Sequence, residues 1–431
     1  MTPAARIASA IDVLTDIETH RRPTTDAIRD WGKAHRFAGS GDRANVANLV
    51  YDTLRVKASA SHLMGDDSPR AAVIGMLKRM RRLDDASIAK LFGVDRYAAP
   101  ALTDEERAAL AKGTLDDAPA HVLGDYPEWL EPYFVAAFGE TRVAEVAALA
   151  ARAPLDLRVN TLKAIRPQIM EAIGHLGPEP SPHAPEGLRL APREDGRVPY
   201  VQAEPAFIKG AVEVQDEGSQ LVALLAGAKQ GDQVLDLCAG GGGKTLALAA
   251  VMNNKGQIFA TDNDARRLMN IHERLERAGV RNVQVRTPTA RAAKVEGLQG
   301  QMDLVLVDAP CTGTGTWRRN PDAKWRMRPG SLEQRTKEQV DVLDIAAPCV
   351  KPGGRLVYIT CSLLDDENGA QVSAFLARHK GFAVVPPAKV AADAGLEKLG
   401  GFLDVSGQGL LLSPLRTGTD GFFAAVLEKT A

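Results

Sequence analysis

The chain has 431 residues and a mass of 46.0 kDa and is 45% hydrophobic, enough apolar content for two or three domains with a substantial core. Lys and Arg number 53 and Asp and Glu 54, a net charge of −1 that excludes wholesale basicity as a means of holding nucleic acid and leaves any such contact to local patches. No apolar run approaches membrane length, the start lacks an apolar stretch with a small-residue cleavage site, and the four cysteines show neither metal-ligand nor disulfide-framework spacing; the expectation is a cytoplasmic protein with free thiols, no membrane span and no metal.

Residues 1–125 are predicted to form an all-α domain. Ile7, Ile11, Leu14 and Ile17 recur at helical spacing, Pro23 breaks the pattern, and Val46, Leu49, Val50 and Leu54 mark a later amphipathic helix. Residues 126–210 mix patterns. The stretch 126–151 reads as helical, 155–162 as a strand, and 177–205 is rich in Pro, Gly and charge, which predicts a small α+β subdomain and linker. The remainder, 211–431, carries short continuous apolar runs alternating with helical patterns, the mark of an α/β fold with a buried parallel sheet.

The first of these strands, Gln233-Val234-Leu235-Asp236-Leu237, runs into Cys238-Ala239-Gly240-Gly241-Gly242-Gly243-Lys244-Thr245 and then an Ala/Leu-rich helix. Strand, glycine loop and helix form the layout of a nucleotide-type cofactor site, where backbone approaches closely and the helix start offers free N–H groups. It is not a P-loop, because Cys238 occupies the place of the required first glycine, and no spacing gives G-x-G-x-x-G. The next strand ends at Asp262, placed to accept hydrogen bonds from ribose hydroxyls. A cofactor held by backbone and ribose contacts points to S-adenosylmethionine.

Two further strands, Leu304-Val305-Leu306-Val307 and Leu356-Val357-Tyr358-Ile359, lead into Asp308-Ala309-Pro310-Cys311 and Thr360-Cys361-Ser362. Ligands of open α/β sheets bind outside the carboxyl ends of strands, so both thiols are expected at one crevice, where a thiolate can attack carbon. Cys349 reads as core filler, as does Cys238 apart from its place in the glycine loop. Asp236 and Asp308, ending two apolar strands, are more than helix caps. Beyond Cys311 come Arg318, Arg319, Lys324, Arg326, Arg328, Arg335 and Lys337, with Trp317 and Trp325 interleaved. Flat rings beside cations suit unstacked bases and phosphates, so Arg318, Arg319, Lys324, Trp325 and Arg326 are the predicted RNA contacts.

The string Asp-Leu-Cys-Ala-x-x-Gly-Gly-Lys-Thr, the Asp-Ala-Pro-Cys and Thr-Cys-Ser loops and the closing Asp420-Gly421-Phe422-Phe423-Ala424-Ala425 resemble the Sun/Fmu (Nop/Sun) family of RNA cytosine carbon-5 methyltransferases. Arg158-Val159-Asn160-Thr161-Leu162-Lys163 and Val214-Gln215-Asp216-Glu217-Gly218-Ser219 are weaker upstream matches, and Arg318-Arg319-Asn320-Pro321-Asp322 with Trp325-Arg326 is most similar to the RsmB-like members. Gly41-Asp42-Arg43 and 49–55 resemble the NusB-like RNA-binding domain that precedes the catalytic part, with 78–82 as its candidate RNA edge.

The resemblance implies a class I Rossmann-like S-adenosylmethionine methyltransferase core at 211–431, acting on RNA, ribosomal RNA by preference. It implies Cys361 as the nucleophile, Cys311 as an aid to product release, and Asp308 as a partner for the cytosine edge. The cofactor set is then Cys238 to Lys244, Asp262, Thr289 near the adenine, and Asp308. Two departures stand out: Gly240-Gly241 replaces the family's Ala-Pro, expected to loosen the loop, and Thr289 replaces an aspartate. The residues themselves do not rank the thiols, since Pro310-Cys311 also fits a DNA cytosine methyltransferase with Cys311 as nucleophile. A third reading is a non-catalytic RNA-binding assembly factor with weakened cofactor use.

Overall fold

Thr2 begins the first helix, Pro3–His20, by accepting the Ala5 amide at 3.1 Å, and Pro3 fills a first-turn position where no amide donor is needed. Ile7, Leu14 and Ile17 are buried along one face while Ile11 is half-buried; after the Pro23 break a second helix runs Thr24–Ala34. Ser40–Arg55 buries Val46, Val50 and Leu54, and a capping box of Thr103 and Glu106 opens Asp104–Lys112. These faces close one core that includes Trp31, Ile74, Met76 and Phe92.

The computed structural model describes residues 1–192, 198–288 and 292–430 and divides into two units, Met1–Arg152 with Trp317–Met327, and Ala153–Thr316 with Arg328–Ala431. The helices of the first unit continue through Arg142–Ala147, within the stretch 126–151 that reads as helical. Its late segment is fastened to it. Trp317 meets Phe134 edge-on at 6.0 Å, Trp325 Nε1 donates to the Leu54 carbonyl at 2.7 Å, Arg55 Nη1 donates to the Arg318 carbonyl at 2.7 Å and Lys324 Nζ donates to the Arg55 carbonyl at 2.8 Å. Among the described residues no helix is long and apolar enough to cross a membrane.

The second unit holds two sheets. The smaller comprises β1 (Leu155–Val159), β2 (Glu179–Pro180), β3 (Gly187–Leu190) and β4 (Val212–Val214), antiparallel in the order β2-β3-β1-β4. The larger comprises β5 (Gln233–Asp236), β6 (Gln257–Ala260), β7 (Val283–Val285), β8 (Met302–Asp308), β9 (Val350–Thr360), β10 (Phe382–Val384), β11 (Leu410–Leu412) and β12 (Phe422–Lys429). Its order is β10-β12-β9-β8-β5-β6-β7, with β11 on β12; β7, β6, β5, β8 and β9 are parallel, and β12 is antiparallel to β9. Helices cover the parallel strands, which is why these read as unbroken apolar runs: Leu304 and Leu306 are as fully buried as Val305 and Val307. Asn160 ties the two sheets, its Nδ2 donating to the Gly210 and Ala278 carbonyls, both at 2.8 Å.

Candidate active site

From β5 the chain winds outward to β6 and β7 and then returns to β8 on the other side of β5. This reversal makes a crevice at the carboxyl ends of β5 and β8, the place where such sheets bind ligands. Ladder pairs set Asp236 opposite Leu306 and Asp308 opposite Ile359, so the loops beginning at 237, 261, 309 and 361 all open onto one edge.

Asp236 ends β5 with its Oδ2 accepting the Thr245 hydroxyl at 2.7 Å and its Oδ1 buried without a partner; burial, with Asp308 and Asp262 nearby, pushes this carboxyl up to about 7. The glycine loop then turns on Gly240 (φ 50) and Gly242 (φ 81), and at Gly242 a Cβ would lie 2.6 Å from the Ile271 side chain. The Ala239 amide donates to the Thr261 carbonyl at 2.9 Å, the Gly240 amide to Asp262 Oδ2 at 2.9 Å, and Arg274 Nη1 to the Gly241 carbonyl at 2.5 Å. Gly240 and Gly241 thus lie in a braced turn. Cys238 is partly exposed, and burial followed by Asp262 raises its thiol well above the ordinary range.

Asp262 is buried, its Oδ1 accepting the Asp264 amide at 3.0 Å and its Oδ2 lying 3.6 Å from Arg267. Each oxygen retains a lone pair for a ribose hydroxyl. Lys244, in the first turn of helix Gly243–Val251, donates to Asp308 Oδ2 at 2.6 Å and stands 5.2 Å from the Phe422 ring centroid. Thr289 lies outside the described residues.

The two thiols meet: Cys311 Sγ is 3.3 Å from Cys361 Sγ. Hydrogen bonding to Cys361, then burial, lifts the Cys311 thiol well above its ordinary value. Gly315 ties their loops to β12, its amide donating to the Cys361 carbonyl at 2.9 Å and its carbonyl accepting the Gly421 amide at 2.8 Å. Asp216 Oδ1 accepts the Asp420 amide at 3.2 Å from the other side. Three residues escaped the sequence reading: Glu367 and Gln339, both fully buried, and Thr312, which Glu367 holds beside Cys311 while Gln339 donates to Glu367. Glu367 stands in the acidic string Asp365-Asp366-Glu367, which reads as a solvated turn; its only signal was a position just after the apolar Leu363-Leu364.

The basic run differs from its expected exposure. Lys324 is 3% and Arg318 4% exposed, and Lys324 donates inside the first unit, as does the Trp325 indole; Trp317 is 1% exposed. Lys324, fixed to the Arg55 carbonyl, and the buried Trp317 are therefore withdrawn from solvent and do not form an exposed basic and aromatic strip. Arg319 is half-buried and Arg326 exposed. Within 78–82, Lys78 pairs with Asp85, Arg79 with Asp125 and Arg81 with Asp52, so that edge is largely neutralised.

A parallel sheet with antiparallel β12 beside β9, a glycine loop after β5 and a buried acid after β6 define a class I S-adenosylmethionine-dependent methyltransferase, and the groups present fit that cofactor: the close-approaching backbone of the loop, the Asp262 carboxylate as an acceptor for ribose hydroxyls and the Lys244–Asp308 pair beyond it. The family model described as 16S rRNA methyltransferase RsmB/F matches residues 223–428, and one for the RsmF/B-like ferredoxin-like domain matches 126–195. A Synechocystis protein called probable ribosomal RNA small subunit methyltransferase B is 30% identical, with 97% of this chain and 98% of that one covered. The crystal structure of PH0851 superposes with a TM-score of 0.71 at 26% identity over 100% of this chain and 99% of the other. A methyltransferase homologue from Pyrococcus horikoshii gives 0.59 at 28% identity, over 72% and 97%. The chain belongs to the RsmB/F family of RNA methyltransferases.

Proposed function

We propose that the protein methylates carbon 5 of a cytidine in ribosomal RNA, with Cys361 as the nucleophile. The observation that carries this is the pair of thiols 3.3 Å apart at the carboxyl ends of adjacent strands, beside an aspartate held by lysine at 2.6 Å. Carbon 5 of cytosine is too electron-poor to take a methyl group directly. A Cys361 thiolate adding to carbon 6 turns the ring into an enamine whose carbon 5 is nucleophilic. Asp308, oriented by Lys244, faces the N3 and amino edge and stabilises charge as it develops there. S-adenosylmethionine, when bound, supplies the electrophilic methyl group; residues 238–243, Lys244 and Asp262 hold it. Afterwards a water-borne base takes the carbon 5 proton, the released electron pair restores the carbon 5–carbon 6 double bond as the carbon 6–sulfur bond breaks, Cys361 departs as the thiolate, and Cys311 assists this release.

The names of the relatives support small-subunit ribosomal RNA as substrate. The ring is reached only if the cytosine is unpaired or flipped. RNA contact by the helical unit belongs to the same reading, with Arg326 and Arg319 as its surface cations. Bisulfite sequencing of RNA from cells with and without the gene tests the reading: one site is expected to vanish and to return with the wild type but not with Cys361→Ala. A Cys361→Ala protein that restores the site would instead make Cys311 the nucleophile, and an unchanged map would favour a non-catalytic assembly factor.

A further inference from the structure

Both neighbours of Cys311 are held by one buried polar pair. Glu367 Oε1 accepts the Thr312 amide at 2.8 Å and Gln339 Nε2 at 3.0 Å, while its Oε2 accepts the Thr312 hydroxyl in a short contact. Gln339 Nε2 also donates to the Pro310 carbonyl at 3.0 Å. The residues before and after Cys311 are thereby tied to the same carboxylate and its amide partner. Glu367 is itself fixed from β9, where the Tyr358 hydroxyl donates to the Glu367 carbonyl at 2.6 Å, and it lies six residues beyond Cys361 in the loop that follows β9. One side chain therefore bridges the two cysteine loops.

Burial pushes the Glu367 carboxyl up, and the three donors aimed at it from Thr312 and Gln339 work against that rise by favouring the carboxylate. A negative charge in that place bears on the Cys311 sulfur. The groups that bear on Cys311 are Cys361 from the loop after β9, Glu367 from the turn Asp365–Glu367, and Tyr358 from β9; helix Pro329–Ala346 presents the uncharged Gln339. The Cys361 sulfur, 3.3 Å away, and beyond it Glu367 both disfavour a thiolate at Cys311.

We propose that Glu367 is a positioning residue which aims Cys311 at Cys361 and gives Cys311 an electrostatic setting of its own, so that the two otherwise similar cysteines take separate roles. This deepens the reading of Cys361 as nucleophile and rests on it. It also supplies what the sequence lacked, a physical reason for ranking the thiols.

Alkylation of the full-length protein by iodoacetamide tests the proposal, with initial rates at Cys311 and Cys361 read separately by mass spectrometry across a range of pH, in the absence of RNA. In the wild type Cys311 is expected to react more slowly than Cys361 at neutral pH. In Glu367→Gln, which keeps size and one acceptor but removes the charge, the Cys311 profile should move about one unit to lower pH. That makes its rate roughly tenfold faster at a fixed pH below the midpoint, with the Cys361 profile unmoved. A Cys311 profile that stays in place overturns the proposal, as does an equal gain at both thiols at every pH, the signature of a merely loosened loop. Should Glu367→Gln not fold, the wild-type rates still decide: Cys311 reacting as fast as Cys361 sinks the idea. The nucleophile assignment fails separately, through retained methylation in Cys361→Ala.

Discussion

Gly315 is the position where the site tolerates least change. An added Cβ there would lie 2.3 Å from the Gly421 carbonyl oxygen and 2.6 Å from the Gly421 Cα, backbone atoms that cannot rotate away. Gly315→Ala must therefore pry the loop from β12 and break two hydrogen bonds, the Gly315 amide to Cys361 and the Gly421 amide to Gly315, each worth about 1 kcal/mol. Overpacking adds about 1–3 kcal/mol, and the stiffer unfolded chain returns about 0.4–1 kcal/mol, leaving a loss of roughly 2–5 kcal/mol. Because the displaced bond holds the Cys361 carbonyl, methyl transfer should fall further than stability does. Urea denaturation and a tritiated-methyl transfer assay on the same preparation give both quantities. Gly421→Ala meets Gly315 Cα at 2.6 Å, so the double variant should lose less than the sum of the two. A Gly315→Ala protein within about 1 kcal/mol of wild type and fully active would refute the steric argument.

Asp236 holds its proton up to about 7, against about 4 in an unfolded chain; its contribution to stability is full below about pH 4 and lost as pH rises to about 7. The difference in unfolding free energy between wild type and Asp236→Asn should thus change across that window, and a constant difference would contradict it. Asp308→Asn is expected to lower kcat by about 10²-fold or more with the fold intact, checked by circular dichroism beside the transfer assay. In the helical unit Trp317→Ala should cost about 3–5 kcal/mol in thermal or urea unfolding. Arg326→Ala should leave stability within about 0.5 kcal/mol and reduce the salt dependence of RNA binding by about one ion, whereas Lys324→Ala should destabilise instead, since its ammonium is buried against the Arg55 carbonyl.

The central sheet was legible because buried parallel strands leave continuous apolar runs, and the acids and cysteines that end them stand out against that background. The helical unit was legible from the spacing of Ile7, Leu14, Ile17, Val46, Val50 and Leu54, which the structure buries together. What failed to show was the fate of polar residues. Arg318, Lys324 and Glu367 have the composition of surface, and tertiary partners take them inside: the Arg55 guanidinium donates to the Arg318 carbonyl, the Arg55 carbonyl accepts Lys324, and Thr312 and Gln339 each donate to Glu367. The extent of the helical unit was hidden for the same reason. A helix of six residues, Pro321–Arg326, carries no periodicity long enough to declare which core it joins.

That short helix has a bearing on how the protein is made. Trp317 fills the space against Phe134, and Arg318 and Lys324 close on Arg55, so the helical unit draws its last pieces from far down the chain. During synthesis the first 152 residues leave the ribosome with that corner of their core still missing, and must wait until Met327 has emerged before it can close. A fragment ending at Arg152 would present an apolar notch to solvent and leave the Leu54 and Arg55 carbonyls without the donors that Trp325 and Lys324 supply, whereas the same fragment supplied with a peptide spanning 317–327 should regain cooperative unfolding.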